Sequence, residues 1–242
     1  MRIRSSESRI ALAERAPLFD AEGEAQEEVL LPPSDTRLSR YAKAAFDPDD
    51  PVSRTARSLR MSISSATSAA TPIRSVAVIN VDAPFEGSVL AANLGIIYAQ
   101  SGIATVVVDA SAADPRQHEL LGVQAGEGLI AVLGGDVDAR SVVEATPVRD
   151  LFVLPVGPTD QHSPILLDGE RFHRRVVPLL DSFGMMVVDV GSIAEDPPAF
   201  CETIDGAVLI VRRNQTMVAA IQHLVGRLSD MKIIIVGTLI VD

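Results

Sequence analysis

Short, nearly continuous apolar runs alternate with longer mixed stretches over residues 75–240. Runs rich in Val, Ile and Leu are typical of parallel strands buried on both faces, and the stretches between them are typical of covering helices. The pattern predicts strands at residues 75–80, 105–109, 151–154, 185–189, 206–211 and 233–240. It predicts helices at residues 52–65, 88–100, 130–133, 141–143, 170–182 and 216–229. The predicted fold is a doubly wound α/β domain with a mostly parallel sheet and helices on both faces.

The first 50 residues differ from the rest of the chain, because they are polar and acid-rich and contain Pro-Pro and Asp-Pro pairs. Such a composition buries too little apolar surface to offset the entropy of ordering. We expect a disordered acidic tail over residues 1–50, with at most a short helix near residues 8–15. We expect one folded domain over residues 51–242, whose first helix has Pro51 near its start and Ser53 as its cap.

The composition narrows the range of functions. The 242-residue chain carries a formal net charge of -11, whereas nucleic-acid binders usually present a basic face. Cys201 is its single cysteine and its four histidines are scattered, so we expect neither a disulfide nor a zinc site. No apolar run approaches the ~18–20 residues of a membrane-spanning helix, and the charged first 20 residues lack the apolar stretch of a signal peptide. We expect a cytoplasmic protein.

Polar residues stand at three predicted strand ends. Ligands of open parallel sheets bind at the carboxyl ends of the strands, where the following helices begin. The segment 80–94 follows the first predicted strand, and the second and fourth predicted strands end in Asp109 and Asp189. We therefore expect the candidate site where these ends meet.

Several segments, in this order, resemble the cytoplasmic domain of the bacterial tyrosine kinases of capsule and exopolysaccharide export, of the CpsD/CapB and Wzc type. The resemblance runs from about residue 51 to residue 242. Family members typically carry P-x-S-E-A-F-R-T-L-R, P-G-E-G-K-S-T-V-A-A-N and V-D-A-D-L-R-R-P. The corresponding segments here are PVSRTARSLR at 51–60, PFEGSVLAAN at 84–93 and VDASAADP at 108–115, with further matches at 126–129 and 154–158. The resemblance implies a P-loop NTPase fold related to MinD and ParA, and a kinase site for ATP and Mg²⁺.

The phosphate-binding loop departs from the family pattern. Its family positions here are Pro84, Glu86, Gly87 and Ser88. Phe85 stands where a glycine belongs, one residue is missing between Gly87 and Ser88, and the loop has no lysine. A working loop needs glycines whose N–H groups ring the phosphates, a lysine and a hydroxyl for Mg²⁺. A phenylalanine in a left-handed loop conformation would cost ~1–2 kcal/mol, and the lost lysine forfeits a bond of roughly 1.5–3 kcal/mol.

Other parts of the implied kinase site are also reduced. The chain has lysines only at Lys43 and Lys232, both distant from the loop in sequence. The family spaces two acids as D-x-D, but here Asp109 is followed by Ser111. Asp189 matches the Walker B acid.

Two roles are open for Asp109 and Asp189: binding of Mg²⁺, or capping of neighbouring backbone N–H groups. The reduced loop favours capping, so we expect no metal and no catalytic residue. The family's C-terminal tyrosine cluster has no counterpart, since the sequence contains only Tyr41 and Tyr98.

Two functions of different classes are compatible with these residues. The first is a pseudo-kinase that regulates synthesis and export of an exopolysaccharide, capsule or holdfast, and the HfsB-type proteins of holdfast synthesis are the nearest kind that the resemblance suggests. It would lie at the inner membrane on a Wzz- or Wzc-type copolymerase and need no cofactor. The alternative is an active or weakly active tyrosine autokinase or ATPase with ATP and Mg²⁺, because Gly87 and Ser88 at a helix N-terminus would attract anions. A MinD/ParA-type positioning ATPase is disfavoured because no lysine lies early in the loop, and a Rossmann dehydrogenase because G-x-G-x-x-G is absent.

Three arginines, Arg54, Arg57 and Arg60, are spaced along the first predicted helix. They form one sloping stripe, which is either a solvated face or an interface. The family carries E-x-x-R-x-x-R here. The resemblance implies that the acid pairs with the arginines of a neighbouring copy in a ring of kinase domains. Arg54 stands at the position of that acid. Like charges across an interface repel. We therefore expect a monomer or dimer in isolation, with the stripe free for an acidic partner surface.

Overall fold

A seven-stranded sheet forms the centre of the computed structural model, which describes residues 37–67, 72–160, 163–193 and 196–242. The strands of the described residues are β1 Ser75–Asn80, β2 Thr105–Asp109, β3 Glu144–Ala145, β4 Leu151–Leu154, β5 Met185–Ser192, β6 Gly206–Arg212 and β7 Ile234–Val241. The α-helices are α1 Pro51–Ala66, α2 Pro84–Gln100, α3 Gln117–Leu121, α4 Leu129–Gly134, α5 Ala139–Val142, α6 Ser163–Leu166, α7 Gly169–Arg175 and α8 Val218–Asp230. Short 3-10 helices lie at Lys43–Ala45, Val177–Asp181 and Ala199–Thr203.

The strand order is β3-β4-β2-β5-β1-β6-β7, and every pairing is parallel except that of β3 with β4. Because β5 lies between β1 and β2, the carboxyl ends of these three strands are neighbours. The predicted doubly wound, mostly parallel fold is confirmed. The apolar runs located six strands to within a few residues, although the edge strand β7 is only partly buried.

Two apolar clusters fill the space on the two faces of the sheet. On one face, α2 is apolar all round its circumference, because the sheet covers one side and α1 covers another. On the other face, side chains of α4, α7 and α8 pack against the alternate residues of the strands. Within the described residues, no helix combines the length and the apolarity needed to cross a bilayer.

The first helix begins within one residue of the prediction, but its cap is a different residue. Asp50, not Ser53, caps α1, since its carboxylate accepts a hydrogen bond from the Val52 N–H at 2.9 Å. Ser53 is fully buried, and its hydroxyl donates to the Asp47 carbonyl oxygen at 2.7 Å. An aspartate before a proline at the first helical position is the stronger start signal.

The predicted tail is wrong for residues 37–50, which form an arm (the N-terminal arm) docked on α2. The arm buries Leu38, Ala42, Ala44 and Ala45. Asn93, buried in the middle of α2, accepts a bond from the Ala44 N–H and donates to the Tyr41 carbonyl oxygen, both at 2.8 Å. Burial of small apolar side chains and the hydrogen bonds of the Asn93 amide thus hold the arm on α2, although the sequence around it is acidic. Residues 1–36, with the helix expected near 8–15, lie outside the described residues.

Two helix predictions also change. The helix expected over residues 170–182 is α7 followed by a 3-10 turn that carries Pro178, which cannot donate to a helical ladder. The second change concerns α2, which begins at Pro84 instead of residue 88. This earlier start decides the shape of the candidate site.

The Asn93→Ala variant should loosen the N-terminal arm. The substitution leaves the buried Ala44 N–H and Tyr41 C=O without a side-chain partner, which costs about 1–3 kcal/mol for an unsatisfied group. We expect a loss of that size in the free energy of unfolding by urea, and faster hydrogen exchange at Ala44. Gln222→Ala, an exposed change on α8, is the control and should alter neither. Unchanged exchange in Asn93→Ala would show that apolar contacts alone hold the arm.

Candidate functional site

The predicted site residues meet at the carboxyl edge of the sheet. Asp109 of β2 lies opposite Asp189 of β5 in the strand register, and Asn80 of β1 lies opposite Ser192. Asn80, Ser88, Asp109 and Asp189 are all buried. The expected convergence of three strand ends is therefore present in the structure.

The start of α2 replaces the expected phosphate-binding loop. Only residues 81–83 connect β1 to α2, and the helix includes Pro84, Phe85, Glu86 and Gly87. Pro84 has no N–H, and the Gly87 N–H donates within the helix to the Ala83 carbonyl oxygen at 3.1 Å. Few backbone donors therefore remain at this helix start for an anion.

The predicted left-handed strain at Phe85 is wrong. Among the described residues, the non-glycine residues with positive φ are Asp150, Asn214 and Lys232. Phe85 is helical instead. Its ring makes an edge contact with Tyr41 of the N-terminal arm at 4.9 Å, and the Arg116 guanidinium lies 5.3 Å from the ring centre. The ring is thus part of the arm's docking surface.

Gly87 is required by a close approach of Asn80. A Cβ atom at Gly87 would lie 1.5 Å from the Asn80 Oδ1 atom, so the amide occupies the space of a side chain. The Asn80 Nδ2 atom donates to the Gly191 carbonyl oxygen at 3.1 Å. This glycine therefore serves packing between β1 and α2, not a ring of N–H groups around phosphate.

Glu86 brings a negative charge to the helix start. Its carboxylate forms an ion pair with Arg212 at the end of β6, at 2.5 Å. Both side chains are about one-third exposed or less. A phosphate group at this position would meet the carboxylate and would compete with it for the guanidinium.

Asp109 caps the segment that leads into α3. One carboxylate oxygen accepts from the Ser111 N–H at 3.1 Å. The other accepts from the N–H groups of Arg116 and Gln117 at 3.0 and 2.9 Å. Three backbone donors thus fix this side chain and the loop between β2 and α3.

Asp189 is held by Gln117 and Ser88. The Gln117 Nε2 atom donates to the Asp189 carboxylate at 2.7 Å and to the Ser88 carbonyl oxygen at 3.0 Å. The Ser88 side chain and the Gly191 N–H also bond to this carboxylate. The amide of Gln117 therefore bridges the serine and the acid between which a P-loop protein holds Mg²⁺.

Burial raises the pKa of both carboxyl groups. For Asp109, burial and then the neighbouring Asp189 charge outweigh the three backbone bonds and raise the pKa to about 7. For Asp189, complete burial raises the pKa against the bonds from Ser88, Gln117 and Gly191. For two adjacent buried acids, the state in which one is protonated is more stable than the state in which both are charged.

These residues do not fit a bound nucleotide with its Mg²⁺. The helix start lacks a phosphate loop, Glu86 places a negative charge there, and the side chains of Gln117 and Ser88 both bond to Asp189. Within the described residues, no three His, Cys, Asp or Glu side chains are grouped to hold a metal ion. A cleft of about 380 Å³ remains beside the site, with Val81, Ile193 and Met217 among its lining residues.

The arginine stripe on α1 is divided. Arg54 is exposed, whereas Arg57 and Arg60 are half-buried. Arg57 donates to the Pro48 carbonyl oxygen at 3.1 Å. Burial raises the pKa of the Tyr98 phenol to about 12, and the charge of the nearby Arg60 acts in the opposite direction. The structure thus leaves one member of the stripe fully available on the surface.

Two site residues escaped the sequence analysis: Gln117 and Arg212. Gln117 carries no signal, because glutamine is mostly exposed and its partner is 72 residues away. Arg212 pairs with a residue 126 positions away, which no local pattern can indicate.

Sequence comparison finds relatives among bacterial kinases. The chain is 25% identical over 166 residues to the putative tyrosine-protein kinase CapB of Staphylococcus aureus, covering 68% of this chain and 72% of CapB. It is 27% identical over 184 residues to the tyrosine-protein kinase YwqD of Bacillus subtilis, covering 75% and 77%. The chain is a relative of the bacterial tyrosine kinases. No protein-family model matches it.

Other similarities extend to a transport protein and to known folds. The succinoglycan biosynthesis transport protein ExoP of Rhizobium meliloti is 27% identical over 139 residues, which are 55% of this chain and 18% of ExoP. The crystal structure of the chimerical protein CapA2B2 superposes with a TM-score of 0.70 at 23% identity, over 83% of this chain and 88% of that chain. The cell division ATPase MinD of Pyrococcus furiosus gives 0.60 at 18% identity, over 69% and 71%. The P-loop NTPase fold is therefore confirmed.

The acid pair should make the protein less stable as the pH rises. The native Asp109 pKa is about 7, against about 3.9 in an unfolded chain. Between these values the native state binds more protons, so this contribution is complete below about pH 4 and is lost through about pH 7. We expect a fall of about 1.4 kcal/mol per pH unit for each proton involved.

Urea unfolding of the wild type and of Asp109→Asn between pH 4 and 8 measures this effect. The variant should be less stable throughout, because its caps are altered, but its pH slope should be smaller. Asp230→Asn, at an exposed position, should keep the wild-type slope. Equal slopes in wild type and Asp109→Asn would contradict a protonated pair.

Proposed function

We propose that the chain is a non-catalytic relative of the tyrosine kinases that regulates polysaccharide synthesis and export. The observation that carries the proposal is the direct passage from β1 into α2, with the helix starting at Pro84. A phosphate-binding loop needs several residues between strand and helix, and glycines free to turn their N–H groups inward. The three-residue connection here supplies neither.

The charges at the site support the same proposal. Phosphoryl transfer depends on positive groups that stabilise a charged transition state. The site instead has Glu86 at the helix start, and its nearby arginine, Arg212, is paired with Glu86. We propose that the protein works without ATP, Mg²⁺ or another cofactor.

The biological context is inferred from the relatives. YwqD is a tyrosine-protein kinase, CapB is named as a putative one, and ExoP is a succinoglycan biosynthesis transport protein. The protein would act in a comparable export system, of an exopolysaccharide, capsule or holdfast. We place it in the cytoplasm, at the inner membrane through a Wzz- or Wzc-type copolymerase.

Nucleotide binding separates this proposal from an active kinase. Millimolar Mg-ATP or Mg-ADP should leave the melting temperature of the purified protein unchanged. A ligand at ~100 times its Kd would add ~2.7 kcal/mol of stability, which is readily seen. YwqD, assayed in parallel, is the positive control. A clear shift in this protein, traced to residues of the α2 start, would favour the alternative of a weakly active ATP-binding enzyme.

The quaternary structure tests the role proposed for Arg54. We expect a monomer or dimer by light scattering after size exclusion, because Arg54 repels cations on a neighbouring copy. Arg54→Glu should increase self-association, and Arg213→Glu, an exposed change at the end of β6, should not. A stable octamer-sized wild-type species would contradict the proposal.

A further inference from the structure

Three arginine side chains surround a cavity of about 210 Å³ on the side of the sheet that α4 and α7 cover. Arg140 comes from α5, and Arg174 and Arg175 come from the last turn of α7. Apolar side chains, including Val132 and Leu179, complete the lining. The cavity shares no residue with the carboxyl-edge site.

One acid lines this cavity but is already engaged. Asp138 caps α5, since its carboxylate accepts from the Arg140 N–H at 2.9 Å. The Arg140 guanidinium donates to the Pro178 carbonyl oxygen at 3.3 Å and lies 3.8 Å from Asp181. Asp181 is 79% exposed, so this ion pair is weak.

In the described part of the chain, the other two arginines have at most one exposed ion pair between them. Arg174 pairs with Glu170 at 3.3 Å, one turn earlier on α7, and both side chains are more than 60% exposed. Among the described residues, no carboxylate lies within ion-pair distance of Arg175. Three guanidinium groups against one lining carboxylate make a positive cavity on a chain of net charge -11.

Gly135 leaves space for the end of the Arg175 side chain. This glycine ends α4 with a φ of 94°. A Cβ atom there would lie 2.7 Å from the Arg175 Nη2 atom and 3.0 Å from its Cζ atom. The guanidinium therefore lies against the backbone at the wall of the cavity, and a side chain at position 135 would displace it.

A purely structural role explains part of this arrangement. Cationic residues in the last turn of a helix are stabilised by its dipole, which would account for Arg174 and Arg175. Arg140 also lies in the last turn of its short helix, so the dipole does not distinguish it. The dipole does not account for the convergence of two helices on one cavity or for the apolar lining beside the three charges.

We propose that this cavity binds the phosphorylated side chain of a tyrosine on a partner polypeptide. Planar guanidinium groups bind phosphate oxygens in a bidentate manner, and several of them around one anion are typical of phosphate recognition. The apolar lining offers a surface for the aromatic ring. The choice of phosphotyrosine rests on the proposed function, in which the chain acts beside proteins such as CapB and YwqD, whose reaction product is phosphotyrosine.

Calorimetric titration of the full chain with N-acetyl-O-phosphotyrosine amide tests the proposal. We expect saturable binding that weakens as salt is raised. Inorganic phosphate should bind at least tenfold more weakly, and the unphosphorylated tyrosine amide should not bind. Equal binding of phosphate and the phosphotyrosine probe would overturn the assignment to tyrosine, and no binding of either would overturn the site.

Variants locate the binding to this cavity. Arg175→Gln should weaken binding of the phosphotyrosine probe at least tenfold. Arg175→Lys should weaken binding less, because lysine keeps the positive charge but cannot bind the phosphate in a bidentate manner. Arg149→Gln is the matched control, since that side chain is 88% exposed and pairs with Asp150 outside the cavity. Urea unfolding of each variant separates lost binding from lost folding. Undiminished binding in both a folded Arg175→Gln and a folded Arg140→Gln would overturn the proposal.

The same variants separate a failure of this proposal from a failure of the proposed function, which predicts no nucleotide binding. A stabilisation by Mg-ATP that Arg175→Gln abolishes would come from this cavity, because the triphosphate is also an anion. A stabilisation that persists in Arg175→Gln would come from elsewhere and would count against the pseudo-kinase proposal alone.

Discussion

Two buried carboxylates on adjacent strands set the main constraint on this structure. Asp109 and Asp189 are opposite each other in the register of β2 and β5, and both are fully buried. Two such charges are costly unless they are protonated or hydrogen-bonded. Here backbone N–H groups from the loop before α3 hold Asp109, while Gln117 and Ser88 hold Asp189. The position of α3 and the approach of α2 to β5 both follow from this need.

A second constraint at the carboxyl edge of the sheet is the close packing of Asn80 against the start of α2. The Asn80 amide fills the space beside Gly87 and bonds to Gly191 after Asp189. This contact ties the end of β1 both to α2 and to β5. Residues that a P-loop would use to surround phosphate are used here to pack strand against helix. A nucleotide would therefore require the first turn of α2 to unwind, and not only a few side chains to move.

The sequence predicted those features that depend on local pattern. The strands were located well because uniform apolar runs indicate burial on both faces, as at Thr105–Asp109. The site's acids were also found, because strand ends in a parallel sheet converge. What failed depended on distant partners. The N-terminal arm is held by Asn93, about 50 residues away, and Gln117 by Asp189. The strain predicted at Phe85 assumed a loop, whereas the shortened connection allowed the helix to begin earlier.

The distribution of charge decides where this fold can receive an anion. At the carboxyl edge, Glu86 places a negative charge at the start of α2 and pairs with the nearby Arg212. In the helical layer, Arg140, Arg174 and Arg175 make the opposite environment. Over distances of about 10 Å or more, salt screens one region from the other, so the net charge of -11 does not cancel the local field. The electrostatics therefore favour an anionic group between α4 and α7 over one at the strand ends, and a ligand there would leave the packing of the acid pair undisturbed.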